Sequence, residues 1–232
     1  MSIKPYGMIC PITKACELLE PRWTIPILTE IWSGSSRFSD IRRGVGNISS
    51  ALLSKRLREM QDKGLIERIE DGATGNVDYV RTEMAIELEP ALHALATWAQ
   101  RHINAELALC GTNLPALMWK MRRSLNTGAL PQRRVVIRFH FSDPDLDFNT
   151  YWILAQPGAE VELCTAIPDF DVDLFVETTV TSMSGILTAR SSVSRELDRG
   201  QLYLSGDAQL ERTMDRWLPQ SDYAEVEGIA MA

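Results

Sequence analysis

Apolar positions in the first hundred residues recur at three- and four-residue spacing, the pattern of helices with one buried face. The spacing predicts a short helix over 12–19, ending near Pro21, and a second over 23–32, rich in bulky apolar side chains. Pro26 falls in the first turn of the second helix, where a missing amide hydrogen costs little, and Gly34 with its flanking serines stops it. Phe38 and Ile41 mark a third short helix over 38–43. A turn over 44–48 follows, Ser49 is placed to cap, and a helix over 50–63 is closed by Gly64. At 100° per residue Leu53, Leu57 and Met60 share one face of that helix, while Ala51, Lys55 and Arg58 lie opposite, flanked by Ser54. The period then switches to two: 65–69 and 77–81 alternate around the turn-rich stretch 71–76, predicting a hairpin.

A short helix, a glycine-containing turn and an amphipathic helix with a basic outer face make a helix-turn-helix, and the hairpin after it makes a wing. The major groove admits a helix of this width; Lys and Arg there reach guanine edges or phosphates, and Ala a thymine methyl. From 83 to about 109 the helical period returns through Leu88, Leu92, Leu95, Trp98 and Ala99. That helix is too long for a small winged domain to bury alone, which points to a homodimer.

Beyond Cys110 the character changes. A helix over 117–125 sits among Gly111, Pro115, Gly128 and Pro131. Strands follow at 134–141, 151–156, 161–165 and 173–179, helices at 183–189 and 193–199, a strand at 201–205 and a closing helix at 210–218. The predicted fold class is α+β: an N-terminal winged helix-turn-helix domain over 1–109 for DNA binding and dimerisation, then a smaller α+β sheet-and-helix domain over 110–232.

Charge sharpens this division. The 232-residue chain has a formal net charge of −7, which by itself argues against nucleic acid. Up to Asn104, however, 13 basic residues balance 13 acidic ones, leaving 11 basic and 18 acidic beyond. Between Arg37 and Arg68 there are eight basic residues against four acidic, a local patch suited to a DNA-binding module joined to an acidic companion. No signal peptide and no apolar run of membrane-spanning length is present, so a cytoplasmic protein with no membrane partner and reduced thiols is expected. The four cysteines and three histidines fit no metal spacing, no cofactor is implied, and phosphate loops, nucleophile elbows and metal motifs are lacking, so no catalytic residue is assigned.

The N-terminal half resembles the HxlR family of MarR-like winged-helix regulators. Cys10-Pro11, Arg22-Trp23-Thr24, Ile27-Leu28, the run from Arg37 to Arg43, Ile48-Ser49, Leu53-Ser54, Arg56 to Met60, Gly64 to Arg68 and Val77-Asp78-Tyr79 carry the likeness in order, from Cys10 to His102. It departs at Glu20-Pro21-Arg22, at Val80-Arg81-Thr82 and at Glu83-Met84-Ala85. The resemblance implies a transcriptional repressor, a homodimer built through the terminal helices, and the helix over 50–63 in the major groove of double-stranded DNA. The C-terminal half resembles the sterol-carrier-protein type of lipid-binding domain, through Val172 to Val176, Gln201 to Gly206 and the closing stretch to Trp217. That resemblance implies an apolar cavity and a small hydrophobic ligand.

The candidate DNA contacts are Arg37, Arg42, Ser49, Ser50, Ala51, Ser54, Lys55, Arg56, Arg58 and, at the wing tip, Thr74 and Asn76. Arg56 lies beside the apolar face, where bracing the fold competes with touching phosphate. Trp119, Tyr151, Trp152, Phe170 and Phe175 are the candidate ligand-lining aromatics, with core packing as the competing role. Cys10 stands where relatives of the resembled family carry a redox-sensing thiol; a small buried residue at a helix start is the competing reading, and Lys4 and Lys14 are its nearest cations in sequence. Two alternatives to a ligand-released regulator stay open: a lipid- or metabolite-binding protein whose winged helix mainly dimerises, and a thiol-based redox-sensing regulator using Cys10.

Overall fold

The computed structural model describes residues 5–219 and 221–231. They fall into two compact units, Met1–Leu92 and His93–Ala232. The second is the longer.

In the first unit, α1 (Pro11–Leu19), α2 (Thr24–Trp32), α3 (Phe38–Val45) and α4 (Ser50–Asp62) precede a hairpin of β1 (Ile66–Glu70) and β2 (Val77–Arg81). The hairpin is antiparallel, with Ile66 opposite Arg81 and Glu70 opposite Val77. Ile27, Leu28 and Ile31 of α2, Ile41 of α3, Leu53, Leu57 and Met60 of α4, and Leu65 and Ile66 form the core. These are the periodic apolar positions of the sequence, so burial of one stripe per helix fixes the arrangement. Trp23, ahead of α2, has φ 86°, a left-handed conformation that costs a non-glycine residue about 1–2 kcal/mol.

The next helix, α5 (Glu83–His102), begins in the first unit and ends in the second. It was expected to run to about 109. Instead it stops at His102, and α6 (Ala105–Leu109) restarts from Asn104, whose side chain accepts the Glu106 amide at 2.7 Å. An Asx side chain competes with the helical ladder in this way. The unit division falls inside α5, ahead of the 109/110 boundary. Within the second unit Gln100 Nε2 donates to Thr188 O at 2.8 Å, and buried Arg190 donates to the carbonyls of Ile103 (2.9 Å), Ala230 (2.8 Å) and Ala99 (3.3 Å). These bonds hold the end of α5 there.

After α7 (Leu114–Ser124), the second unit is built on a five-stranded sheet ordered β5-β4-β3-β6-β7. Its strands are β3 (Val135–Phe141), β4 (Thr150–Ala155), β5 (Glu162–Cys164), β6 (Leu174–Thr178) and β7 (Leu202–Gly206). All neighbours are antiparallel except β3 and β6. The helices α8 (Val180–Leu187) and α9 (Val193–Asp198) connect β6 to β7. Phe139, Phe141, Ile153 and Val176 point from one sheet face into a core with Met118, Met121, Met183, Met214 and Trp217. The closing helix is two short ones, α10 (Ala208–Arg212) and α11 (Met214–Trp217), separated at Thr213, whose hydroxyl donates back to Gln209 O at 2.8 Å. No helix among the described residues is long and apolar enough to cross a membrane.

Candidate nucleic-acid interface

Helix α4 starts at Ser49, whose hydroxyl accepts the Leu52 amide at 3.3 Å. Leu53, Leu57 and Met60 are at most 2% exposed and pin one side of the helix to the core. The opposite side therefore has to face out: Ser50, Ala51, Ser54, Lys55 and Arg58 are all exposed. Lys55 Nζ is 3.9 Å from Glu59, at the limit of an ion pair, and Arg58 has no ion pair among the described residues. Arg56 does not join them. Its side chain lies among Leu18, Pro21, Thr24, Met60 and Lys63, and its Nη1 is 2.5 Å from Glu59 Oε2. The bracing role fits this position, on the inner flank of the helix.

Two arginines of the preceding segment differ in the same way. Arg42, on α3, is exposed and free of ion pairs among the described residues. Arg37, at the N-cap of α3, is committed: its Nε sits 3.0 Å from Asp78 Oδ1, and Ser36 Oγ donates to that oxygen at 2.6 Å. The Tyr79 amide also donates to Ser36 O at 2.9 Å. This network ties the wing strand β2 to the entry of α3. Sequence reasoning missed Asp78 and Ser36; a carboxylate on a wing strand that otherwise needs positive charge was the available signal.

At the wing tip Asp71 organises the turn. It accepts the Ala73 amide at 2.9 Å and the Thr74 hydroxyl at 2.6 Å, which hold its carboxyl below the usual carboxylate range. Thr74 was expected to be a donor to DNA, but its hydroxyl proton is spent on Asp71. Asn76 remains exposed beside it.

The five aromatic candidates of the second unit do not line one cavity. Tyr151 and Trp152 are successive on β4 and so face opposite sides of the sheet. Tyr151 packs edge-on against Phe141 and Phe148 in the core, and its hydroxyl pKa is pushed up by burial. Trp152 and Phe175 share the other face, and Phe170 lies under Arg134 with the guanidinium carbon 4.0 Å from the ring centre. Trp119, on α7, lies under Arg122. A cavity of about 220 Å³ is lined instead by Thr127, Leu130, Arg133, Gln156 and their neighbours, with none of the five.

Cys10 stands at the N-cap position of α1, partly exposed. The amides of Thr13 and Ile12 hold its thiol below the usual value. Lys14 pairs with Glu17 at 2.9 Å, and Lys4 lies outside the described residues.

Comparison with known proteins bears on the winged helix-turn-helix and the helices that follow it. The HxlR-like helix-turn-helix model matches residues 18–107. An uncharacterized HTH-type transcriptional regulator of Bacillus subtilis, YvaP, is 32% identical over 98 residues, covering 41% of this chain and 91% of that protein. A second from B. subtilis, YtcD, is 33% identical over 105 residues, covering 45% and 82% respectively. Among solved structures, the reduced form of the B. subtilis transcriptional regulator YodB is 28% identical, covering 41% of this chain and 96% of that one with a TM-score of 0.38. With a capped, outward-facing α4 following α3 and a hairpin behind it, the chain belongs to the HxlR-like helix-turn-helix family.

Proposed function

We propose that the chain is a cytoplasmic, sequence-specific transcriptional regulator that binds double-stranded DNA as a homodimer. It represses by occupying its operator and is released by a small hydrophobic ligand of the second unit. The observation that carries the DNA reading is α4: one side is locked into the core, and the other presents Ser50, Ala51, Ser54, Lys55 and Arg58 without a carboxylate partner closer than 3.9 Å. A helix pinned to the core by one side, with Lys55 and Arg58 on the other, suits major-groove readout.

The dimer reading is supported by α5. Met84, Leu88, Ala91, Leu95, Trp98 and His102 follow alternating four- and three-residue steps, the seam spacing of paired helices. Met84, Leu95 and Trp98 are 44%, 51% and 53% exposed within one chain. The ligand reading draws on the sterol-carrier-like order of the second unit, with β6, a helix pair, β7 and the closing helices in succession.

The test is a gel shift against the upstream intergenic DNA at two salt concentrations with competitor. Lys55→Ala combined with Arg58→Ala is expected to weaken specific binding by about 10- to 100-fold, since a good base contact contributes about 1–3 kcal/mol. Undiminished binding would refute the assignment. Weak binding erased by competitor would favour a lipid- or metabolite-binding protein whose winged helix mainly dimerises.

A second reading, a thiol-based redox regulator, is favoured by the partly exposed position of Cys10 at the start of α1, where the amides of Thr13 and Ile12 lower its thiol pKa. Under it, oxidant releases DNA from the wild type and not from Cys10→Ser.

A further inference from the structure

One face of the five-stranded sheet is packed into the core of the second unit; the other carries an unusual row. In register across the strands stand Cys164 on β5, Trp152 on β4, Arg138 on β3, Phe175 on β6 and Ser205 on β7. Arg138 is thus flanked on both sides by aromatic rings at lateral-neighbour distance. Its guanidinium carbon is 5.8 Å from the centre of the Phe175 ring. Trp152 is only 7% exposed, whereas Phe175 is 39% exposed and Phe170, beneath Arg134, is 44% exposed.

The charges on this face are arranged unlike those elsewhere in the unit. Arg133 lies between two carboxylates, Asp173 at 2.6 Å and Asp207 at 3.1 Å, and Arg122 pairs with Glu160 at 3.3 Å. Neither Arg134 nor Arg138 has an ion pair among the described residues. Glu177 and Glu162 do stand on the same face, but one register row away from Arg138 on either side. In a half of the chain with 18 acidic residues against 11 basic ones, a cation left between two rings and spared a carboxylate is a poised anion site. The same acidic surroundings disfavour a polyanion such as nucleic acid. They leave room for a single negative charge. A guanidinium also stacks on planar groups while donating to a carboxylate through its edge.

We infer that this row binds a planar aromatic monoanion, with its ring against Phe175 and its acid group on the guanidinium of Arg138. The inference rests on the proposal that the second unit takes a small hydrophobic molecule; it gives that molecule a charge, a shape and a sheet face. The face is the one opposite the core, since the core side is filled by Ile137, Phe139, Ile153 and Leu174, all fully buried.

The experiment uses the full chain and two probes of equal shape, 1-naphthoate and the neutral 1-naphthamide, titrated calorimetrically. Naphthoate is expected to bind about tenfold more tightly, the effect of one charge-assisted pair. Arg138→Gln should erase that preference, and Phe175→Leu should weaken both probes alike. Arg138 is half-buried and Phe175 39% exposed, and neither belongs to the core cluster, so unchanged circular dichroism and unfolding midpoints are expected alongside. Absence of saturable binding, equal affinity for the two probes, or a preference that survives Arg138→Gln would each overturn the inference. So would a change in sedimentation of Arg138→Gln without a change in probe binding, which would make this face a contact between copies of the chain. A parallel gel shift with naphthoate separates the two claims: binding at the row without release of DNA would leave the site standing and count against ligand-released repression.

Discussion

Gly44 lies in the last turn of α3, and the carboxylate of Glu30, on α2, fills the space its missing side chain leaves. A Cβ at position 44 would stand 2.0 Å from Glu30 Cδ, 2.1 Å from Oε1 and 2.3 Å from Oε2. Glu30 is itself 8% exposed, and its Oε1 accepts the Ser35 hydroxyl at 2.6 Å. Alanine ordinarily improves on glycine inside a helix by about 1 kcal/mol. Here it must push a buried carboxylate off its hydrogen bond, a loss of about 1.5–3 kcal/mol for a charged acceptor. Crowding adds about 1–3 kcal/mol. Gly44→Ala should therefore destabilise the first unit by roughly 1.5–5 kcal/mol net. The assay is urea unfolding of the full chain, followed by hydrogen exchange of peptides from α2 and α3, so that the first unit is read separately. The decisive arm is a double-mutant cycle. With Glu30→Ala already present, Gly44→Ala should change sign and stabilise by about 1 kcal/mol. A single Gly44→Ala variant that is stabilised, or a penalty that persists without Glu30, would refute this account of the α2–α3 packing.

Three further outcomes follow from the same geometry. Gly206 has φ 148°, and a Cβ there would meet the carbonyl oxygen of Asp173 at 2.2 Å; Gly206→Ala confronts backbone that cannot swing away, so it should loosen the β6–β7 pairing, seen as faster amide exchange of 174–178 and 202–206. Because the folded Asp71 carboxyl is depressed, the wing tip should stay ordered above its ordinary pKa of 3.8 and loosen only as pH falls through the lower folded value; amide shifts of Ala73 and Asn76 that stay flat in acid would count against it. Leu95→Glu with Trp98→Glu should shift sedimentation from dimer to monomer, whereas an unchanged dimer would remove α5 from the interface.

The first unit was legible because each of its decisions is local. The three- and four-residue spacing of Leu53, Leu57 and Met60 sets which side of α4 is buried, and that alone turns Ala51, Lys55 and Arg58 outward. Ser49 as cap and the switch to period two after Gly64 mark boundaries within a residue or so. What periodicity does not encode is competition between side chains distant in sequence. Arg37 and Arg42 read alike on a basic segment, yet Asp78, 41 residues after Arg37, claims the first and leaves the second free. Thr74 is a donor in any turn, but whether its proton goes to DNA or to Asp71 depends on the folded shape of that turn. The aromatics failed as a cluster for a simpler reason. Tyr151 and Trp152 are adjacent in sequence, and strand geometry therefore puts them on opposite sides of β4.

The same competition alters what the charge balance means. Up to Asn104 the chain sums to zero, which taken alone predicts little attraction for DNA. The pairs on α3 and α4 do not spread that cancellation evenly. Glu59 is drawn to Arg56 on the inner flank of α4, Asp40 sits within 3.5 Å of Arg43, and Asp78 is held by Arg37 behind the wing. Each of those three carboxylates has a cation partner, so among the described residues Arg42 and Arg58 have no ion pair and Lys55 has only its 3.9 Å contact with Glu59, while exposed Asp62 stands on the same outward side of α4. Association with a phosphate backbone responds to the local field over about a Debye length, roughly 8 Å at physiological salt, and hardly to the sum over the chain.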